Sequence, residues 1–135
     1  MKLAISTIVS FLVLLLLGFL FYWGVFSAGY MGSYIHIMRL PEGQILWANI
    51  IGFLFQGFLL SLIYKYYYKG ESPFKEGLMF GLLIGFLISI PFVFFMWANY
   101  TVHWKAVLAE GLGMGFRLLI TGIVIGMIFG KKPVK

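Results

Sequence analysis

Apolar residues in this chain come in long unbroken blocks, not in the alternating or every-third pattern of an element with one wet face. Four blocks stand out, at residues 3–26, 41–65, 73–99 and 104–130. Each reaches the roughly 20 residues that a helix needs to cross a hydrocarbon core about 30 Å thick. In lipid every backbone group must be paired within protein, and the segments are too few and too uniformly apolar for a barrel. Polar punctuation separates the blocks. Pro41 and Pro73 sit at first-turn positions, Ser72 is a candidate N-cap of the third span, and Gly130 with Lys131, Lys132 and Pro133 closes the fourth. The pattern predicts an all-α integral membrane protein. Its four transmembrane helices form an antiparallel bundle, one membrane domain over residues 1–135.

Basic residues orient these spans. Lys2, Lys65, Lys69, Lys75, Lys131, Lys132 and Lys135 fall on one side of the membrane; Arg39 and Lys105 fall on the other. Lys and Arg accumulate on the cytoplasmic face, so both termini and the loop after the second span are expected in the cytoplasm. Trp23, Trp47, Trp97 and Trp104 then lie near the outer interface, and Tyr64, Tyr66, Tyr67 and Tyr68 near the inner one. Lys2 with its Leu-rich run also fits the start of a signal peptide, with Val25, Phe26 and Ser27 as a cleavage site. Its apolar region exceeds the roughly 7–15 residues of such peptides, so an uncleaved anchor is expected.

Composition narrows the chemistry. Of 135 residues, 62% are hydrophobic and 10% charged, against about 25% charged in soluble domains. A water-soluble enzyme, a disordered chain and a nucleic-acid-binding domain are excluded, and the net charge of +6 is accounted for by topology. There is no cysteine and no aspartate, which removes thiolate metal sites, disulfide exchange and Ser-His-Asp chemistry. No cofactor and no metal are expected, and an enzyme is disfavoured.

Small residues predict how the helices pack. Gly77, Gly81, Gly85 and Ser89 recur at every fourth position of the third span, and Gly111, Gly115, Gly122 and Gly126 share one face of the fourth. Such faces let two backbones approach closely, which drives association where lipid removes the hydrophobic force between helices. They are expected to join the third and fourth helices, or to serve self-association or another membrane subunit. The first span is nearly all Leu, Val and Phe over residues 11–21 and is expected at the lipid boundary.

Arg117 is the polar residue that most demands an explanation, since a charge at the centre of a spanning helix costs about 2.5–3.5 kcal/mol on insertion scales. Glu110 and Thr121 share its helical face. Asn49 and Gln56, seven apart on the second span, lie at matching depths. Pro91 interrupts the third span, kinks it and frees the carbonyl of Leu87. These groups predict one buried polar cluster, either a clasp that fixes helix register or part of a substrate, ion or proton pathway. His36 and His103 share the outer side and form a candidate ligand pair there, although interfacial histidines more commonly meet lipid head groups.

Two transporter groups of this size differ in their motifs. Small multidrug exporters carry a key glutamate in the first helix, where this chain has no carboxylate. Fluoride channels carry a hydroxyl-rich Phe motif in the third, where residues 82–95 have the phenylalanines without the hydroxyl run. In helix count, in the run at residues 18–23 and in its Gly-rich last span, the chain resembles small four-helix membrane proteins of bacteria. That resemblance implies no activity; the expected location is a bacterial inner membrane. The expected role is an accessory or scaffolding subunit, or a structural homo-oligomer. The alternative is a small oligomeric transporter or channel with a polar pathway at Glu110, Arg117 and Gln56.

Overall fold

A computed structural model of the chain describes residues 1–27 and 41–133, which contain no strand. Four helices follow in order: α1 (Lys2–Ser27), α2 (Leu46–Tyr67), α3 (Pro73–Asn99) and α4 (Trp104–Phe129). Each is long and apolar enough to cross a membrane. The third has the expected bounds, and the second does not. Pro41 opens a separate single turn, Pro41–Gly43, and α2 begins only at Leu46 without a side-chain cap. Gly43 accounts for the break, glycine being a poor helix former. At its other end α2 runs on to Tyr67, because Tyr64 and Tyr67 both pack on Phe80, ring centroids 5.1 and 5.7 Å apart.

The most extensive helix contact joins α3 to α4, and it is backbone on backbone. Gly126 lies against Gly77, Gly122 against Gly77 and Gly81, and Gly115 beside Gly85 and Ser89. A Cβ on Gly122 would sit 2.6 Å from the Cα of Gly81, and one on Gly81 would sit 2.7 Å from the carbonyl oxygen of Leu119. Gly111 receives the side chain of Val93. Ser89 hides its hydroxyl by donating to the carbonyl of Gly85 at 2.6 Å.

The large residues Leu12, Leu16, Phe19 and Leu20 of α1 are exposed, as a helix at the lipid boundary requires, but another face of the helix is buried. Its Ser6, Ser10, Leu14 and Gly18, four apart, are all buried, and the helix stands between α2 and α4. Gly57 lets α2 approach so closely that a Cβ there would be 2.9 Å from the amide nitrogen of Phe11. The large residues from 11 to 21 dominate the composition while a narrow hydroxyl and glycine stripe makes the contact.

The main core draws on all four helices: Leu14, Leu60, Tyr64, Phe80, Leu118 and Ile125, with Phe129 closing it. Tyr64 is thus a core residue with no exposure. A second, smaller core of Val102, Ala106 and Val107, with Tyr22, Val93 and Met96 against it, contains nothing from α2. Toward its start from Phe53, α2 stands clear of the other described helices, and residues 45–52 are all exposed. So α2 and α3 meet at one end of the molecule and part toward the other.

The end where they meet also gathers the start of α1 and the end of α4. Lys2 donates to the carbonyl of Phe129 at 2.6 Å, the Tyr68 hydroxyl donates to that of Gly130 at 2.7 Å, and the Lys132 amide donates to that of Gly70 at 3.1 Å. Burial, and then the Glu76 carboxylate, holds the Tyr68 phenol above its ordinary pKa, so it remains a donor. We call this the terminal end and its opposite the distal end. Ser72 occupies the N-cap position of α3 but makes no side-chain cap bond. The Glu76 carboxylate instead accepts from the backbone amides of Lys69, Gly70, Glu71 and Ser72 at 2.7–3.2 Å. One carboxylate thereby ties the whole α2–α3 loop. Glu76→Ala is expected to cost about 1–3 kcal/mol, the range for charge-assisted bonds, read as a lower thermal midpoint in detergent. Glu76→Gln, which keeps one acceptor oxygen, should lose less.

Candidate functional site

Arg117 sits about midway along α4 and is only 8% exposed. Its Nε donates to the carbonyl of Gly113, one turn earlier, at 3.2 Å. The guanidinium carbon lies 5.2 Å from the centroid of the Phe21 ring, a cation–π contact of about 0.5–2 kcal/mol. Gly18 makes room for it: a Cβ there would be 3.4 Å from Nη1 and 3.2 Å from the edge of the Phe53 ring. Gly113 makes room for Phe21, whose ring fills the place of its missing side chain. Two glycines on two helices thus seat one ring and one guanidinium. Among the described residues nothing accepts from Nη1 or Nη2.

Arg117 also lines a cavity of about 300 Å³. Its polar lining is Tyr22 of α1, Gln56 of α2, and Glu110 and Arg117 of α4. The apolar lining is Leu14, Phe53, Ile88, Met114 and Leu118, so every helix contributes. The volume is that of about ten waters at roughly 30 Å³ each, and the polar groups are enough to hold water there. A guanidinium does not lose its proton in proteins, so the wall carries a permanent cation, with a carboxyl, an amide and a phenol around it. This set can bind and orient a polar group inside the span.

The structure brings Gln56, Glu110 and Arg117 to one wall and leaves the other candidate groups elsewhere. Asn49 is exposed on the part of α2 that stands clear and does not line this cavity. Thr121 is fully buried on the Arg117 face, but its hydroxyl donates to the carbonyl of Arg117 at 2.7 Å and not to the cavity. Pro91 lies inside an unbroken α3, and Leu87 is 68% exposed; Arg117 takes the nearer carbonyl of Gly113. His103 caps α4, its Nδ1 accepting from the amide of Lys105 at 3.3 Å while its ring stacks on Trp104. His36 lies outside the described residues.

Gly18, Phe21, Tyr22 and Phe53 were not legible as site residues, because in a lipid-like run they read as membrane-facing. The signal available was Gly18, three residues before Phe21 in a span with few small residues. Three further hydroxyls, on Ser10, Ser61 and Tyr64, are buried without a hydrogen-bond partner, on the terminal side of the cavity. No protein-family model, curated protein or solved structure matches this chain.

Proposed function

We propose that this chain is a multi-pass protein of a bacterial inner membrane, an antiparallel bundle with both termini in the cytoplasm. We propose further that it works as an accessory or scaffolding subunit of a larger membrane assembly. Seven basic residues against two support the orientation. The contact order along α3 and α4 supports the antiparallel arrangement, since Gly77 meets Gly126 while Gly85 meets Gly115.

The subunit role is carried by the distal part of α2. Its residues 46–52 are all exposed, and among the described residues a Cβ on Gly52 would meet nothing within 4 Å. Asn49, Gly52 and Gln56 share one face of that helix, a small and polar strip. Lipid tails offer Asn49 no partner, whereas a second helix packed on Gly52 would offer one. Native mass spectrometry after gentle extraction from the source membrane is the test. Co-release with larger, unlike subunits is expected, with a photo-crosslinker at Gly52 trapping the neighbour. Integer multiples of the chain alone would make it a self-assembling scaffold, and a lone chain with no crosslink would sink both roles.

The cavity favours a second role, that of a small transporter or channel with its pathway along Glu110, Arg117 and Gln56. Its support is an unspent guanidinium beside a water-sized space midway along a spanning helix, where charged groups often mark paths.

A further inference from the structure

We propose that the cavity beside Arg117 holds the head group of a zwitterionic lipid, with the lipid phosphate on the guanidinium and its ammonium on the Glu110 carboxylate. The site lies within one chain and needs no partner subunit.

The first argument is the state of Arg117. It is 8% exposed, among the described residues only its Nε has an acceptor while its two terminal nitrogens have none, and it lines the cavity. Two such nitrogens match two oxygens of a phosphate in a bidentate pair.

Glu110 decides what kind of molecule carries that phosphate. It lines the same cavity, seven residues earlier on the same helix face, about 10 Å away along the axis at 1.5 Å per residue. Both side chains lean toward the N-terminus, but the longer Arg117 reaches back a full turn to the carbonyl of Gly113, so the gap between the charged groups shortens. A simple anion would satisfy Arg117 and be repelled by Glu110, while a simple cation would do the reverse. A molecule carrying an acid and an amine satisfies both and leaves the site neutral.

The lateral opening points to a lipid. Phe53 of α2 and Ile88 of α3 both line the cavity, yet no extended packing joins those two helices. They close on each other only at the terminal end, where Tyr64 and Tyr67 cover Phe80. A head group in the cavity can therefore trail its chains between α2 and α3 into the bilayer. The order of charges agrees as well. Glu110 is nearer the distal end and Arg117 deeper. In a lipid of the leaflet on that side the amine lies outermost and the phosphate beneath it. Phosphoethanolamine, with about eight non-hydrogen atoms, fits a space of about ten waters.

The test uses the full chain, stripped of lipid in detergent and titrated in native mass spectrometry. The probes are phosphatidylethanolamine and phosphatidylglycerol with matched chains; the second has the phosphate but no amine. Phosphatidylethanolamine is expected to bind about tenfold more tightly, the effect of one charge-assisted bond. Glu110→Gln should bring the ratio near one, Arg117→Gln should weaken both lipids, and Asn49→Ala should change neither. Glu110→Gln carries the decision, because it is isosteric at a half-buried position and leaves the helix contacts in place. Free O-phosphoethanolamine is expected not to bind at concentrations that saturate the lipid. Equal binding of the two lipids to the unmodified protein, or a preference untouched by Glu110→Gln, overturns the proposal. Free phosphoethanolamine binding as tightly as the lipid overturns the lipid as its source.

Discussion

Gly122→Leu is expected to leave essentially no folded protein. A single Cβ at that position would lie 2.6 Å from the Cα of Gly81 and 2.7 Å from its amide nitrogen and from the carbonyl oxygen of Gly77. These are backbone atoms of a packed helix and cannot swing aside as a side chain can. Alanine alone forces α3 and α4 apart by part of an ångström along their whole contact, for about 1–3 kcal/mol; leucine adds three more carbons with nowhere to go. Close backbone approach is itself the attraction between helices in lipid, so the separation removes the force and not just one contact. Unfolding in mixed detergents followed by tryptophan fluorescence will show it, with Gly122→Ala intermediate. Gly52→Ala is the control. Nothing lies within 4 Å of its Cβ position, so it should be neutral or gain up to about 1 kcal/mol from helix propensity.

Arg117→Met is expected to stabilise the protein by about 2–3 kcal/mol while weakening lipid binding or abolishing transport. The side chain carries a permanent charge to the middle of a span, at about 2.5–3.5 kcal/mol on insertion scales. Against this stand one backbone hydrogen bond at 3.2 Å and one ring contact. Methionine keeps most of the volume between Gly18 and Phe21 and leaves no charge, the kind of exchange that is neutral or stabilising for buried ions. A clasp behaves in the opposite way, because removing one member of a satisfied network strands the rest. Destabilisation by Arg117→Met in the same mixed-detergent unfolding would therefore make Arg117 structural. Stabilisation together with weakened lipid binding would identify a charge kept for what it binds.

Much of α3 and α4 was readable in advance. Pro73–Asn99 has the bounds that its proline and apolar run predict, and the glycines at 77, 81, 122 and 126 face one another. Their spacing is a property of single helices, and glycine in lipid has few uses other than close approach. The α2 start was misread since Pro41 does begin a helical turn, but one that ends at Gly43. Ser72 does stand at the N-cap position but makes no cap bond, while the Glu76 carboxylate takes the amides of the preceding loop. Asn49 and Gln56 have the same face and spacing as Glu110 and Arg117, yet only Gln56 reaches the cavity; nothing in that spacing reveals that α2 turns away beyond Phe53.

The amino-acid sequence alone determined that the described chain forms four helices able to span a membrane. Hydrophobic length and helix periodicity are local, one-dimensional quantities, and lipid permits few other structures. Only the tertiary structure decided that a stripe of α1 packs between α2 and α4, that α2 leaves the bundle, and that Gly18 and Phe21 seat the guanidinium of Arg117. In water, polarity separates outside from inside along every element. In a bilayer a leucine facing lipid and a leucine facing a neighbouring helix are in equally apolar surroundings. Sequence polarity therefore cannot sort them, and the choice falls to small differences in packing that appear only when the helices meet.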